Sequence, residues 1–202
     1  MASEKLKWLK AAAEEIICGA KEAIESLDPN QVEVMIEKIL EARDRKIFVV
    51  GMGRSGFVAR AFTLRLMNLG FNVYFIGETV TPAASKGDLF IAVSGSGITR
   101  MVLTASEAAK EVGAYVIAIT SRPDSPLGKI ADHVVVVKGR TKIAARDDYL
   151  ARQLMGEKEP LTPLGTMFEN SCMVFLDGVI AELMWRLKTT EEELRERHAT
   201  IE

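Results

Sequence analysis

Apolar residues recur along the first 43 positions at the three-to-four spacing of an amphipathic helix. Leu6, Leu9, Ala13, Ile16, Ile17, Ala20 and Ile24 fall on one stripe and predict a helix over residues 4–27. Asp28 followed by Pro29 supplies a cap and a first-turn proline for a second helix reaching Arg43, with Val32, Met35, Ile36, Ile39 and Leu40 on its apolar side. From residue 46 the pattern changes. Short apolar runs at 46–50, 72–76, 89–93, 115–119 and 133–137 alternate with helical stretches at 55–69, 99–112 and 127–131. Residues 138–162 are polar and mixed, and predict a loop with some helix. Thr162-Pro163 repeats the cap-and-proline signal for a long helix to about Leu187, with Met167, Cys172, Phe175, Val179 and Leu183 as its buried side. Thr190 and Glu193 have capping-box spacing for a last short helix.

Strands read as continuous apolar runs when both faces of a parallel sheet are covered by helices. The expected fold is therefore α/β: a three-layer αβα sandwich around a five-stranded parallel sheet in the flavodoxin-like order 2-1-3-4-5. One domain is expected over 1–202, with N-terminal helices at 1–44, a sheet core at 45–138 and a loop with C-terminal helices at 139–202. Two leading helices are more than such a sheet needs. Their spare apolar surface suggests packing against another subunit, with packing on their own sheet as the plain alternative.

Composition narrows the partners. A net charge of −2 offers no broad basic surface, so no nucleic acid is expected. The apolar runs are strand-length, so no membrane span is expected, and the opening MASEKLKWLK interleaves charges unlike a secretory signal. The expected location is cytoplasmic. Cys18 and Cys172 are then expected to be reduced, buried thiols. Neither they nor His133 and His198 show metal-ligand spacing, so no metal is expected.

Two glycine–serine loops carry the candidate chemistry. Gly51-Met-Gly-Arg-Ser-Gly56 follows the first strand and opens a helix. Its glycines bring backbone N–H groups close to a ligand, and the helix N-terminus favours an anion. The pattern matches GxGxxG, and Glu78 sits where a dinucleotide fold places its ribose-binding carboxylate. Ser94-Gly-Ser-Gly-Ile-Thr99 follows the third strand and opens another helix. A nucleotide site has no need of this second loop. With strands one and three adjacent at the switch point, both loops converge on one crevice. Gly53, Ser55, Ser94, Ser96 and Thr99 then form a cradle suited to a phosphate monoester. Taken singly, each loop also reads as a tight turn with a serine helix cap. Arg54 adds charge to the phosphate site or pairs elsewhere. Glu78 and Thr79, past the second strand, contact sugar hydroxyls or a subunit interface. Thr166 and Glu169 also have capping-box spacing, but a helix beginning at Thr162-Pro163 leaves Glu169 for other work. His133, opening a strand, reads as structural.

At these loops the sequence resembles the sugar isomerase (SIS) domain family. The resemblance runs over nearly the whole chain, through GMGRSGFVARAFTLRLMNLG (51–70), GETVTPAASKGDLFIAVSGSGITRMV (77–102), VIAITSRPDSPLGKIADHVVVV (116–137), PLGTMFENSCMVFLDGVIAELM (163–184) and the closing RHATIE. Gly-Glu-Thr at 77–79 and the terminal Arg-His-Ala are its more specific features, and they point to the branch acting on hexulose phosphates. Ile98 departs from the polar residue expected there. The resemblance implies interconversion of 3-hexulose 6-phosphate and fructose 6-phosphate through an enediol, in the ribulose monophosphate route of formaldehyde fixation or its reverse. It implies Glu169 as the base, His198 in ring opening or proton transfer between oxygens, no cofactor, a homotetramer with sites near subunit interfaces, and a functional link to 3-hexulose-6-phosphate synthase. A tail histidine such as His198 is otherwise an ordinary solvated residue. Competing readings are a non-catalytic SIS sugar-phosphate sensor, an arabinose 5-phosphate isomerase, and a dinucleotide-dependent enzyme.

Overall fold

The computed structural model describes residues 5–139 and 161–196. Two helices lead: α1 (Lys7–Glu25) and α2 (Pro29–Glu41). Asp28 caps α2, its carboxylate accepting the Asn30 N–H at 2.8 Å, and Pro29 opens the helix, as its sequence predicts. Then follow β1 (Lys46–Gly51), α3 (Gly53–Asn68), β2 (Asn72–Phe75), β3 (Leu89–Val93), α4 (Arg100–Glu111), β4 (Tyr115–Thr120), α5 (Pro126–Ile130) and β5 (His133–Val136). After the undescribed residues come α6 (Thr166–Leu187) and α7 (Glu191–Glu196).

The strands form one parallel sheet in the order β2-β1-β3-β4-β5. Successive side chains leave opposite faces, so each apolar run feeds two cores. Ile47, Val49, Ile91, Ile117 and Val135 meet α2, α3 and α6 on one face. Phe48, Val50, Phe90, Val116 and Ala118 meet α4 and α5 on the other. The two-core αβα sandwich expected from unbroken apolar runs is what forms.

Two local expectations change, for Cys18 and for the start of the long helix. The α1 stripe sends Ile24 against the core shared with the sheet. Helix α1 lies along α6, burying Ala20 and Ala23, while Leu6, Leu9 and Ile17 remain 61–64% exposed. Cys18 is exposed rather than buried, because it sits outside that seam. Its thiol hydrogen-bonds the Glu14 carboxylate, which pushes its pKa up. Cys172 is buried as expected.

The long helix also starts late. Thr162 does not cap it, because its hydroxyl donates to Glu15 of α1 at 2.9 Å. The Leu161 N–H donates to the same carboxylate at 3.0 Å. The chain makes one more turn, Thr166 N–H to Pro163 O, and enters α6 through left-handed Gly165. By contrast, Thr190 and Glu193 form the reciprocal capping box that their spacing predicts, at 2.9 and 3.3 Å.

Helix α6 is tied to α2 by Arg186, which donates to both oxygens of Glu33 at 2.6 and 2.7 Å and to Glu182 at 2.8 Å. The Arg186 hydrogen bond holds the Glu33 carboxyl below the usual glutamate range. A lowered carboxylate value stabilises the fold above the unfolded-state value, and the contribution fades as pH falls through the lowered one. Glu33→Gln should therefore melt below the native protein at pH 7. That gap should close on acidification, and thermal melts against pH check it. A gap that persists unchanged at acid pH would show that the pair is not its source.

Candidate functional site

The order β2-β1-β3 makes β1 and β3 neighbours whose following helices leave on opposite faces, α3 to one and α4 to the other. A crevice opens between the two strand ends, the usual ligand position of such sheets. It encloses about 420 Å³. Met52, Gly53, Arg54 and Ser55 line one side, and Ser94, Gly95, Ser96 and Thr99 the other. The start of α6, through Leu164, Gly165, Phe168 and Glu169, forms the third wall.

The second loop is held rigidly from behind. Its Gly97 N–H closes on Ser94 O at 3.1 Å, and Thr120 Oγ1 and Ser121 Oγ donate to Gly95 O at 3.2 and 2.7 Å. Ser94 Oγ and Thr99 Oγ1 share a hydrogen bond of 3.2 Å. Thr99 stands at the cap position of α4 but makes no side-chain cap bond, which leaves its hydroxyl with the crevice. The tight turn of the bare turn-and-cap reading forms in this loop, but its side-chain helix cap does not. The N-termini of α3 and α4 both open here, with first-turn N–H groups that have no intrahelical acceptor.

Glycine at 95 is required by close approach. A Cβ there would lie 2.6 Å from Cδ1 of Phe168. The Phe168 ring is packed over the loop backbone. Gly97 adopts φ 62, and a Cβ would fall 1.9 Å from Ser125 Oγ.

Glu169 lies in the first turn of α6, where the helix dipole favours a carboxylate. It is not part of a capping box: Thr166 is already inside the helix and the cap position is Gly165, which has no side chain. Its partner is Arg54, whose Nε–H donates to Glu169 Oε2. The Arg54 side chain is 62% exposed and that of Glu169 only 14%. One turn further on, burial pushes the Cys172 thiol well up, and the Glu169 charge adds to it.

Seven of the sequence candidates therefore meet at one place: Gly53, Arg54, Ser55, Ser94, Ser96, Thr99 and Glu169. Glu78 and Thr79 do not. They follow β2, on the far side of β1 from β3, and line no part of the crevice. The Glu78 carboxylate pairs with Arg60, whose guanidinium lies 4.0 Å over the Phe75 ring. The carboxylate that a ribose would need is thereby engaged. His133 is structural as read, its Nε2 lying 2.7 Å from Gln31 O. His198 falls outside the described residues. The sequence reading missed Leu164, Gly165 and Phe168 as wall residues, and Glu15 as the anchor of the segment before them. Only the turn-like Pro163-Leu-Gly165 hinted at the first two.

Hydroxyls and two helix N-termini facing a shielded carboxylate across a small crevice form an arrangement suited to a phosphorylated metabolite. Residues 39–155 match the SIS domain model, and the chain belongs to the SIS domain family. A protein of Aeropyrum pernix, itself uncharacterized, is 52% identical over 182 residues, 89% of this chain and 86% of its own length. A 3-hexulose-6-phosphate isomerase of Methanocaldococcus jannaschii is 40% identical over 172 residues, 85% of this chain and 84% of that protein. A Methanococcus jannaschii crystal structure, from which the function of a 3-hexulose-6-phosphate isomerase was inferred, matches with TM-score 0.74 at 36% identity, over 96% of this chain and 98% of that one.

Proposed function

We propose that this chain is a 6-phospho-3-hexuloisomerase, interconverting 3-hexulose 6-phosphate and fructose 6-phosphate. The observation that carries this reading is the placement of Glu169 opposite the Ser94–Thr99 cradle in one crevice. The phosphate sits among the hydroxyls and helix N-termini, and the reacting carbons reach towards α6. The named relatives support the choice of sugar.

In the forward direction Glu169 takes the proton from C2. The C–H electron pair becomes the C2–C3 double bond, and the C3 carbonyl pair moves onto its oxygen. A proton passes from the C2 oxygen to the C3 oxygen, and Glu169 returns its proton to C3. Carbonyl and hydroxyl have exchanged places with no change of overall oxidation state, so the chemistry asks for no redox cofactor. A single base acting on one face suffices for both carbon steps. His198 serves the opening of the sugar ring and the transfer between oxygens. The protein works without a metal, as a homotetramer with sites near subunit interfaces, downstream of 3-hexulose-6-phosphate synthase in the ribulose monophosphate route.

Incubation with fructose 6-phosphate in deuterated buffer, with chelator present, tests this. Deuterium should enter at C3 of fructose 6-phosphate, and 3-hexulose 6-phosphate should accumulate. Exchange at C1 instead would mean an isomerase working between C1 and C2. An inert protein that still binds the sugar would mean a sensor.

A further inference from the structure

We propose that Arg54 belongs to the reacting end of the crevice, where its guanidinium bridges the base Glu169 and the enediolate oxygen, and not to the phosphate cradle. This rests on the isomerase reading of the same site. Three observations carry it. The Arg54 Nε–H is donated to Glu169 Oε2, across from the cradle hydroxyls. None of the second-loop hydroxyls bonds Arg54: Ser94 and Thr99 share a hydrogen bond with each other, and Ser96 Oγ accepts the Ile98 N–H at 3.5 Å. The two terminal NH2 groups of Arg54, which lines the crevice, make no hydrogen bond among the described residues.

A guanidinium presents five N–H donors in one plane, so one edge can hold two acceptors at once. In the resting site the negative charge lies on Glu169. As the carbon-bound proton moves to Glu169, one unit of charge passes through the new double bond onto the former carbonyl oxygen. A cation already held at the first position by Nε–H can receive the second on a terminal N–H. The second contact exists only as the charge develops, and contacts of that kind lower the barrier instead of merely tightening substrate binding. Reprotonation at the neighbouring carbon reverses the path, and the guanidinium returns to Glu169. Exposure of the Arg54 side chain gives it room for this small movement.

The experiment separates the two ends of the site. Arg54→Met and Arg54→Lys are compared with the native protein for kcat, for KM with fructose 6-phosphate, and for the Ki of inorganic phosphate as a competitive inhibitor. Arg54→Met should lose about 10²-fold or more in kcat, the usual cost of removing one oxyanion donor. Its phosphate Ki should stay within about threefold of native, since no cradle contact is lost. Arg54→Lys should recover only part of the loss, because an ammonium supplies the charge without the two-acceptor edge. Free guanidine added to Arg54→Ala should restore turnover, which a purely structural role would not show. A phosphate Ki that rises about tenfold with kcat retained would place Arg54 in the cradle and overturn the inference. So would an unchanged kcat, or a joint loss of kcat and phosphate affinity that guanidine does not rescue. Failure of the isomerase reading is distinguishable, because the native protein would then turn nothing over.

Discussion

Glu169→Gln is expected to lower kcat by about 10²–10⁴-fold, the range a positioned general base supplies, and to leave the fold intact. The amide matches the carboxylate in size, so the first turn of α6 and the Phe168 packing on Gly95 are undisturbed. It cannot accept a proton from carbon at neutral pH. Losing the charge also releases Arg54, but an ion pair with one partner 62% exposed contributes only about 0–1 kcal/mol. The melting temperature should therefore move little while turnover collapses. Steady-state assays with fructose 6-phosphate, alongside a thermal melt, check both halves. Near-native kcat would remove Glu169 as the base and leave the crevice as a binding site.

Ser94→Ala combined with Ser96→Ala is expected to act at the other end. A hydrogen bond to a charged group contributes about 1.5–3 kcal/mol, so losing two weakens phosphate binding by about 10²–10⁴-fold. The lower part of that range is expected, because Ser94 Oγ is already shared with Thr99 and the helix N-termini remain. KM for the sugar phosphate and Ki for inorganic phosphate should rise together. The loop itself should keep its shape, since the bonds holding it come from Thr120, Ser121 and its own backbone. An unchanged KM would locate the phosphate elsewhere. Read with the Arg54 variants, the pair of experiments maps the two ends of one crevice independently.

The two serine–glycine loops were legible because their signals are local. Each is a short run of glycines and hydroxyls directly after an apolar run, and the strand-to-helix turn follows from neighbours in sequence. The Asp28 cap and the Thr190–Glu193 box succeed for the same reason, since their partners lie two or three residues apart. The start of α6 was misread because a distant residue intervened. Thr162 looks like a cap, yet Glu15 takes its hydroxyl from 147 positions away. Cys18 was misjudged because periodicity shows that a face is apolar but does not say which of its residues is covered. Helix α1 buries Ala20 and Ala23, while Trp8, Leu9 and Ile17 stay exposed. Glu78 had the right spacing for a ribose carboxylate, and only its pairing with Arg60 showed it engaged.

The sequence by itself determined the sheet, its two-sided burial and the pair of loops, because strand-length apolar runs between helices can satisfy their backbone groups and bury both faces only in a covered parallel sheet. It also determined that hydroxyls and glycines follow the two strands. Tertiary structure alone decided which residues face them. Glu169 enters the crevice on the same helix turn whose Phe168 ring lies against Gly95, and Arg54 reaches Glu169 across 115 positions. Such contacts depend on how helices settle against a sheet, and no periodicity or local spacing encodes that.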